Sequence, residues 1–199
     1  IRKARDPSSP VSHRRVSAVC LACHEKFEDI AVRDYRQSIH SVAAGAACID
    51  CHRSHAIDHS QNPKSPVHHL SVPGTCGRCH EKEKNLFLLG KHWKVAQKGF
   101  REAPVCNDCH GEHKILAGKN PASATYAGNI TKTCSACHAS ERLVSKFMIK
   151  ADRVESFQDS FHGLSMQTGD VRVANCASCH GWHDVLPSGD PKSSTNPAN

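Results

Sequence analysis

Cysteine and histidine recur in one fixed order along this chain of 199 residues. Every cysteine belongs to a Cys-x-x-Cys-His pentad, and there are six pentads. Two intervening residues let both sulfurs bond the two vinyl groups of one porphyrin, and the adjacent histidine then lies under the ring as an iron ligand. The pattern predicts six covalently attached haem c groups. The predicted attachment residues are Cys20 and Cys23, Cys48 and Cys51, Cys76 and Cys79, Cys106 and Cys109, Cys134 and Cys137, and Cys176 and Cys179, with the proximal ligands His24, His52, His80, His110, His138 and His180.

Two other uses of paired cysteines compete with this interpretation. A disulfide framework and a set of zinc sites both employ closely spaced cysteines. Neither requires a histidine directly after the second cysteine of every pair. At the histidine frequency of this chain, six such matches in six pairs arise by chance with a probability on the order of 10⁻⁷. The sequence therefore favours haem attachment.

Six of the ten remaining histidines also recur in step with the pentads. Three trailing histidines stand three residues after the even-numbered pentads. Three spacer histidines lie between an odd and an even pentad, each two residues after a small residue. One such histidine is present for each pentad, which predicts that every iron has two imidazole ligands and is low-spin. The predicted distal ligands are the spacer histidines His40, His92 and His162 and the trailing histidines His55, His113 and His183.

Chain length limits which haem a trailing histidine can reach. Three residues span at most about 10 Å, which is too short to pass round the edge of a porphyrin. His55 therefore cannot cap the haem held by His52, and each trailing histidine must serve a different haem. The sequence leaves open whether His40 and His55 serve the first two haems in one order or the other. The other histidines, His13, His59, His68 and His69, are interpreted as surface or haem-edge residues, with His13 and His69 as alternative ligands.

The chain repeats three times, each repeat having an odd pentad, a spacer histidine, an even pentad and a trailing histidine. The distance from Cys48 to Cys76 equals that from Cys106 to Cys134, at 28 residues. The third repeat is longer, which places an insertion within Ala139–Phe161. The predicted organisation is a single hexahaem domain of three dihaem units, 6–61, 62–119 and 120–189, followed by a linker tail, 190–199. The connectors begin with Asp-Pro or Asn-Pro and are predicted to be exposed and extended.

Apolar residues are too few to build an ordinary core. Only 38% of the residues are hydrophobic and 5% are aromatic, so side-chain burial would barely offset the entropy of ordering the chain. We therefore predict that the porphyrins form the interior. The predicted fold is mostly irregular and α-helical, with short helices and little or no β-structure, wrapped around a linear stack of haems. Helices are predicted over Glu25–Tyr35, Glu81–Leu89 and Glu141–Ile149.

Charge and hydropathy restrict the partners and the compartment. No apolar window is long enough for a membrane helix, which predicts no membrane insertion. The formal charge of +7 is spread along the chain and would be offset by haem propionates, so we expect no nucleic-acid binding. The twelve cysteines suit an oxidising compartment outside the cytoplasm.

Some of the motifs resemble a known family. The Cys-x-x-Cys-His-Gly-x-His runs at Cys106–His113 and Cys176–His183, and the Ser-Phe-His-Gly run at Ser160–Gly163, resemble the doubled-CxxCH multihaem cytochromes. Some members of that family are extracellular and form filaments, the cytochrome nanowires. The resemblance implies electron transport to redox partner proteins or extracellular acceptors. It also implies an extracellular location, with the periplasm as the alternative.

The ligand count separates electron transfer from catalysis. A multihaem reductase needs an iron with an open distal position, whereas this chain has enough histidines to fill every position. We therefore predict an electron carrier and not an enzyme. We also expect a head-to-tail homopolymer in which the Asp190–Asn199 tail docks on the Ile1–His13 segment of the next copy. The alternatives are a soluble periplasmic electron shuttle and an excised domain of a larger multihaem cytochrome.

Overall fold

Short α-helices make up about half of the chain. The structure, a computed structural model, describes residues 6, 8–27, 30–41, 45–150 and 152–199, and no β-strand occurs among them. This confirms a mostly helical and irregular fold, although with more helix than the sequence led us to expect. The helices are α1 His13–His24, α2 Ile30–Gln37, α3 Cys48–His52, α4 Val72–Cys76, α5 Glu81–Leu89, α6 Lys91–Ala96, α7 Cys106–His110, α8 Ile130–His138, α9 Glu141–Phe147, α10 Arg153–Gln158, α11 Phe161–Gln167 and α12 Cys176–His180.

The three predicted helices are present, with some differences at their ends. Helix α5 covers the predicted range Glu81–Leu89. Helix α9 stops two residues short of the predicted end because Met148 is left-handed, with φ of 50°. Of the predicted helix over Glu25–Tyr35, the structure has a 3-10 turn over Glu25–Phe27 and helix α2 from Ile30 onwards, while residues 28 and 29 lie outside the described residues. No helix in the described ranges is both long and apolar enough to cross a membrane.

Much of the helix lies in the pentads themselves. Each even pentad is a complete five-residue helix, whereas the first and fifth pentads form the last turns of α1 and α8. At the start of each even pentad, the side chain of the third helical residue accepts a hydrogen bond from the backbone N–H of the residue before the helix. Asp50 accepts from the Ala47 N–H at 2.7 Å, and Asp108 accepts from the Val105 N–H at 2.7 Å. Residues three apart share one helix face, so both cysteines of a helical pentad point the same way.

The chain leaves each even pentad through a residue with a positive φ. Gly111 and Gly181 have φ of 82° and 79°, a conformation that glycine adopts without steric cost. Arg53 occupies the same position after the second pentad, with φ of 65° and ψ of −173°. That region is almost restricted to glycine, so Arg53 carries strain of about 1–3 kcal/mol.

Replacing this arginine with the residue found in the other two repeats should stabilise the protein. For Arg53→Gly we expect the free energy of unfolding to rise by about 1 kcal/mol, since the relieved strain exceeds the entropy cost of a glycine. The measurement is the urea midpoint of the purified protein at an unchanged m-value. Gly111→Arg is the matched control and should lower the midpoint. A midpoint that stays the same or falls in Arg53→Gly contradicts the prediction.

The connectors are successions of tight turns, which differs from the extended segments expected from their sequence. Each connector begins with an aspartate or asparagine whose side chain accepts from the backbone N–H two residues later, for example Asn62 from Lys64 at 2.9 Å and Asn120 from Ala122 at 2.9 Å. The serine three residues after the Asx residue donates its N–H back to the Asx carbonyl. These serines are buried, namely Ser9, Ser65, Ser123 and Ser193. Asx side chains thus favour turns over an extended chain at these sites.

Contacts divide the chain into two compact units. The first contains Ile1–Glu81 and Val105–Leu116, and the second contains Lys82–Pro104 and Ala117–Asn199. These boundaries cut through the second sequence repeat, whose pentads lie in the first unit and whose spacer lies in the second. The division into three dihaem units therefore remains a prediction from the sequence.

Side chains alone form a small interior. Among the residues that the structure describes, ten apolar side chains are buried, and four of them are alanines. Several large apolar side chains stay exposed, for example Ile57, Leu89 and Trp182. Another apolar group could therefore cover them.

Candidate haem sites

Three pairs of histidine rings face each other, and each pair joins a predicted proximal ligand to a predicted distal ligand. His40 faces His80 with a distance of 6.0 Å between ring centroids. His92 lies beside His138 at 6.1 Å between centroids, with the two ring planes at 65° to each other. The third pair, His52 and His113, has its ring centroids 5.9 Å apart and its planes within 3° of parallel.

These separations fit an iron atom between the two rings. Two iron–nitrogen bonds of about 2.0 Å, with about 1.1 Å from each nitrogen to its ring centre, require about 6.2 Å between centroids. A direct hydrogen bond between two imidazole nitrogens would bring the centroids to about 5 Å. The observed distances of 5.9–6.1 Å are nearer to the first value. The histidine pairs therefore have the spacing of bis-histidine ligation.

The pairs follow a simple rule. A spacer histidine faces the odd pentad of the next repeat, as His40 faces His80. In the one pair with a trailing histidine, His113 faces His52 of the even pentad in the previous repeat. The sequence predicts that His40 is a ligand of the first or the second haem, whereas the structure places His40 beside the third pentad. The sequence argument that a trailing histidine serves a different haem agrees with the position of His113.

Burial keeps the paired imidazoles neutral. The pKa of His92 falls to about 4, first because burial disfavours its charged form and then because His138 faces it. Burial, followed by the facing ring of His80, also lowers the pKa of His40. The pKa of His52 is lowered by burial and then by His113. A neutral imidazole has the free lone pair that ligates iron, so these shifts favour the ligating form.

The first cysteines of the two pentads in a repeat contact each other. All twelve cysteines lie in the described ranges, and none of them forms a disulfide. A hydrogen bond from Cys106 is the main cause that lowers the pKa of Cys76 to about 7. Cys134 acts in the same way on Cys176, whose pKa falls to about 6. Burial and then the neighbouring Cys48 raise the pKa of Cys20. The odd and even pentads of each repeat are thus direct neighbours.

Within each unit the pentads succeed one another in chain order. In the first unit, α3 contacts both α1 and α4, and α4 contacts α7. The second and third pentads also meet through Cys51, whose pKa is raised by burial and then by Cys76. In the second unit α8 contacts α12, which joins the fifth and sixth pentads. Haems attached to these pentads would be neighbours within each unit.

Two predicted distal ligands lie exposed. His162 is near the start of α11, where its ring meets that of Phe161 at 5.9 Å between centroids. The Nδ1 atom of His55 lies 3.0 Å from the hydroxyl of Ser54. His24 and His180 are exposed as well, while His110 and His183 are half-buried. The Nε2 atom of His13 lies 2.8 Å from the Oδ2 atom of Asp50, and this contact joins α1 to α3. The contact favours a structural role for His13 over the alternative of iron ligation.

The structure explains the small residue that stands two positions before His40 and His92, two of the three spacer histidines. The backbone beside the spacer histidine approaches the segment after a trailing histidine very closely. A β-carbon on Gly90 would lie 2.9 Å from the carbonyl oxygen of His183, and the neighbouring Lys91 N–H donates to the Val185 carbonyl at 2.8 Å. Ser38, at the equivalent position of the first repeat, is buried and its hydroxyl donates to the Ile115 carbonyl at 3.2 Å. The recurring small residue was visible in the sequence, but its partner was not.

In the described part of the chain, no three His, Cys, Asp or Glu side chains are grouped so that they could hold a metal ion. A haem iron takes four of its six ligands from the porphyrin, so two facing imidazoles are the complete protein contribution. The cysteine positions and the histidine pairs fit that group. Comparisons with protein-family models, with curated proteins and with solved structures gave no match.

Proposed function

We propose that this chain transfers electrons through six covalently attached c-type haems, each with two imidazole ligands. One observation carries the proposal: three predicted proximal histidines lie beside three predicted distal histidines, with 5.9–6.1 Å between the ring centroids. Nothing in the cysteine motif requires a second histidine at that distance. A protein that ligates iron from both faces of a porphyrin does require it.

The residues of the chain have separate tasks in this proposal. A bound haem supplies a one-electron iron couple and apolar faces that can cover the exposed surface. The cysteines fix the porphyrin at each pentad, and the neutral imidazoles hold the iron in one coordination geometry. The contact between Cys76 and Cys106 supports close approach of neighbouring porphyrin edges. Short distances between redox centres are what electron transfer requires.

The paired histidines also argue against a reductase. With haem bound at His52, His80 and His138, the neighbouring imidazole 5.9–6.1 Å away between ring centroids would compete with a substrate for the open position of the iron. We therefore propose no catalytic residue. The proposed setting is an extracellular head-to-tail filament that passes electrons to extracellular acceptors, with a soluble periplasmic shuttle as the alternative. Negative-stain microscopy that finds only single particles would favour the shuttle.

Haem content tests the proposal directly. Protein produced in a host that attaches haem c should contain six iron atoms and six porphyrins per chain, all retained after unfolding and acid extraction. Replacing both Cys106 and Cys109 with alanine should remove one porphyrin in six. Asn107→Ala, between the same two cysteines, is the control and should keep all six. Colourless protein, or porphyrin that is extracted from the native sequence, would contradict the proposal.

A further inference from the structure

A cluster of charged and aromatic side chains joins α9 to the segment after α6, residues 97–104. The Lys146 Nζ donates to the Oε1 atom of Glu102 at 2.6 Å, and the Nη1 atom of Arg142 lies 3.4 Å from the same oxygen. The rings of Phe100 and Phe147 meet edge to face, with 5.4 Å between their centroids and 80° between their planes. Phe100 and Glu102 follow α6, whereas the other three residues belong to α9. Ionic and aromatic contacts thus tie the two segments together.

Lys146 takes part in both kinds of contact. Its Nζ atom lies 5.4 Å from the centroid of the Phe100 ring and 5.5 Å from that of Phe147, within the range of a cation–π contact. The bond from Lys146 is also the largest cause that lowers the pKa of Glu102 to about 2, so this carboxylate is charged at neutral pH. One cation therefore links the carboxylate to both rings, and its removal should weaken the whole cluster.

The two segments that the cluster joins carry the two members of one histidine pair. His92 lies on α6, which ends at Ala96, four residues before Phe100. His138 ends α8, and α9 begins at Glu141, three residues later. The His92 and His138 rings have their centroids 6.1 Å apart. A displacement of α9 from the segment after α6 would therefore also move His92 relative to His138.

The start of α6 is held by a different contact. The Lys91 N–H donates to the Val185 carbonyl at 2.8 Å, which fixes the residue directly before His92. The cluster fixes the chain after α6, on the other side of His92. Helix α9 lies within the insertion that lengthens the third repeat. The insertion thus supplies one of two attachments that hold the helix of His92.

We propose that Glu102 and Lys146 are positioning residues that hold His92 on the iron of the fifth haem. The inference rests on the proposed function, and it gives the insertion of the third repeat a role in that function. Neither residue ligates iron. Each acts through His92, so a weakened cluster increases the frequency with which His92 leaves the iron and returns to it.

Carbon monoxide measures this frequency, because it binds a ferrous haem only at an open position. In reduced protein with six porphyrins per chain, Glu102→Ala and Lys146→Ala should each accelerate carbon monoxide binding to one sixth of the haem, by up to about fivefold, the upper range for an exposed ion pair. The double variant should be no faster than Lys146→Ala, since both changes break the same contact. Lys146→Arg keeps a cation beside the carboxylate and both rings, and it should bind at the native rate.

Two further variants locate the effect. In His92→Ala the fifth haem has no distal ligand to release, so adding Glu102→Ala should leave the rate unchanged. Arg172→Ala is the matched control, because it breaks an exposed ion pair between residues only two apart, with the Arg172 Nε 2.9 Å from the Asp170 carboxylate. Arg172→Ala should bind carbon monoxide at the native rate.

The outcomes separate this inference from the proposed function. Glu102→Ala and Lys146→Ala proteins that retain six porphyrins and bind carbon monoxide at the native rate overturn the inference alone. An acceleration that persists in the His92→Ala background also overturns it, because the cluster would then act on another haem. So does an equal acceleration in Arg172→Ala. A native chain without six porphyrins overturns the proposed function and this inference with it.

Discussion

Replacing His92 with alanine is expected to convert one sixth of the iron in the purified protein from low-spin to high-spin. His92 faces His138 at 6.1 Å between ring centroids and is the predicted distal ligand of the fifth haem. Alanine has no atom that can ligate iron, and the thioethers of Cys134 and Cys137 would keep the porphyrin in place. The haem content should therefore stay at six while one iron acquires an open position.

The visible spectrum and the electron paramagnetic resonance of the oxidised protein measure the fraction of high-spin iron. His68→Ala is the matched control, because His68 is also half-buried but is not one of the six histidines that recur in step with the pentads. It should leave all irons low-spin. If His92→Ala retains six porphyrins and shows no high-spin signal, the assignment of His92 as the fifth distal ligand is wrong.

The sequence predicts which histidines are ligands but does not predict which pentad each distal histidine lies beside. The pentads identify the predicted proximal histidines because cysteine and histidine are adjacent in the chain. The reach of three residues predicts that His113 serves a pentad other than that of His110, and the structure places His113 beside His52. Local reasoning could not place His40, because its position depends on a backbone contact between Ile39 and Ile115 in the next repeat. Contacts so distant in sequence leave no periodic signal.

Helices could be predicted from the sequence, whereas the structure of the connectors could not. Helix α5 could be predicted because its residues favour helix and none of them breaks it. The connectors were expected to be extended because proline and small polar residues rarely form regular structure. Their turns depend on specific side-chain bonds, such as that from the Lys64 N–H to Asn62 at 2.9 Å. Composition alone does not distinguish a succession of turns from an extended segment.

Ligand exchange between repeats also explains why the compact units do not follow the repeats. If each repeat held its own distal ligands, the natural boundaries would lie in the connectors. Because His92 instead faces His138, the second spacer belongs to the unit of the fifth and sixth pentads. A chain built in this way has no self-sufficient repeat. Removing one repeat should therefore deprive a neighbouring haem of a ligand.

Acidification is expected to destabilise the protein between about pH 6.5 and pH 4, with His92 as the largest single contributor. Its pKa falls to about 4 in the folded chain, against an ordinary value of 6.5. Between these values the unfolded chain binds a proton that the folded chain does not, so stability rises with pH. Over that interval His92 alone accounts for a loss of about 3 kcal/mol on acidification. His40, His52 and His138 have lowered pKa values and act in the same direction.

The haem-bound protein should respond with the same sign, because a protonated imidazole cannot ligate iron. Urea midpoints measured across this pH range give the slope, and His92→Ala should have a slope shallower by about one proton. Bonds to Lys146 and Arg172 respectively lower the pKa of Glu102 and that of Asp170 to about 2. These carboxylates lose their contribution to stability as the pH falls below about 5, so they add to the slope with the same sign, and they do so equally in the native sequence and in His92→Ala. Stability that stays constant or increases from pH 6.5 to pH 4 would contradict the burial of neutral histidines between the pentads.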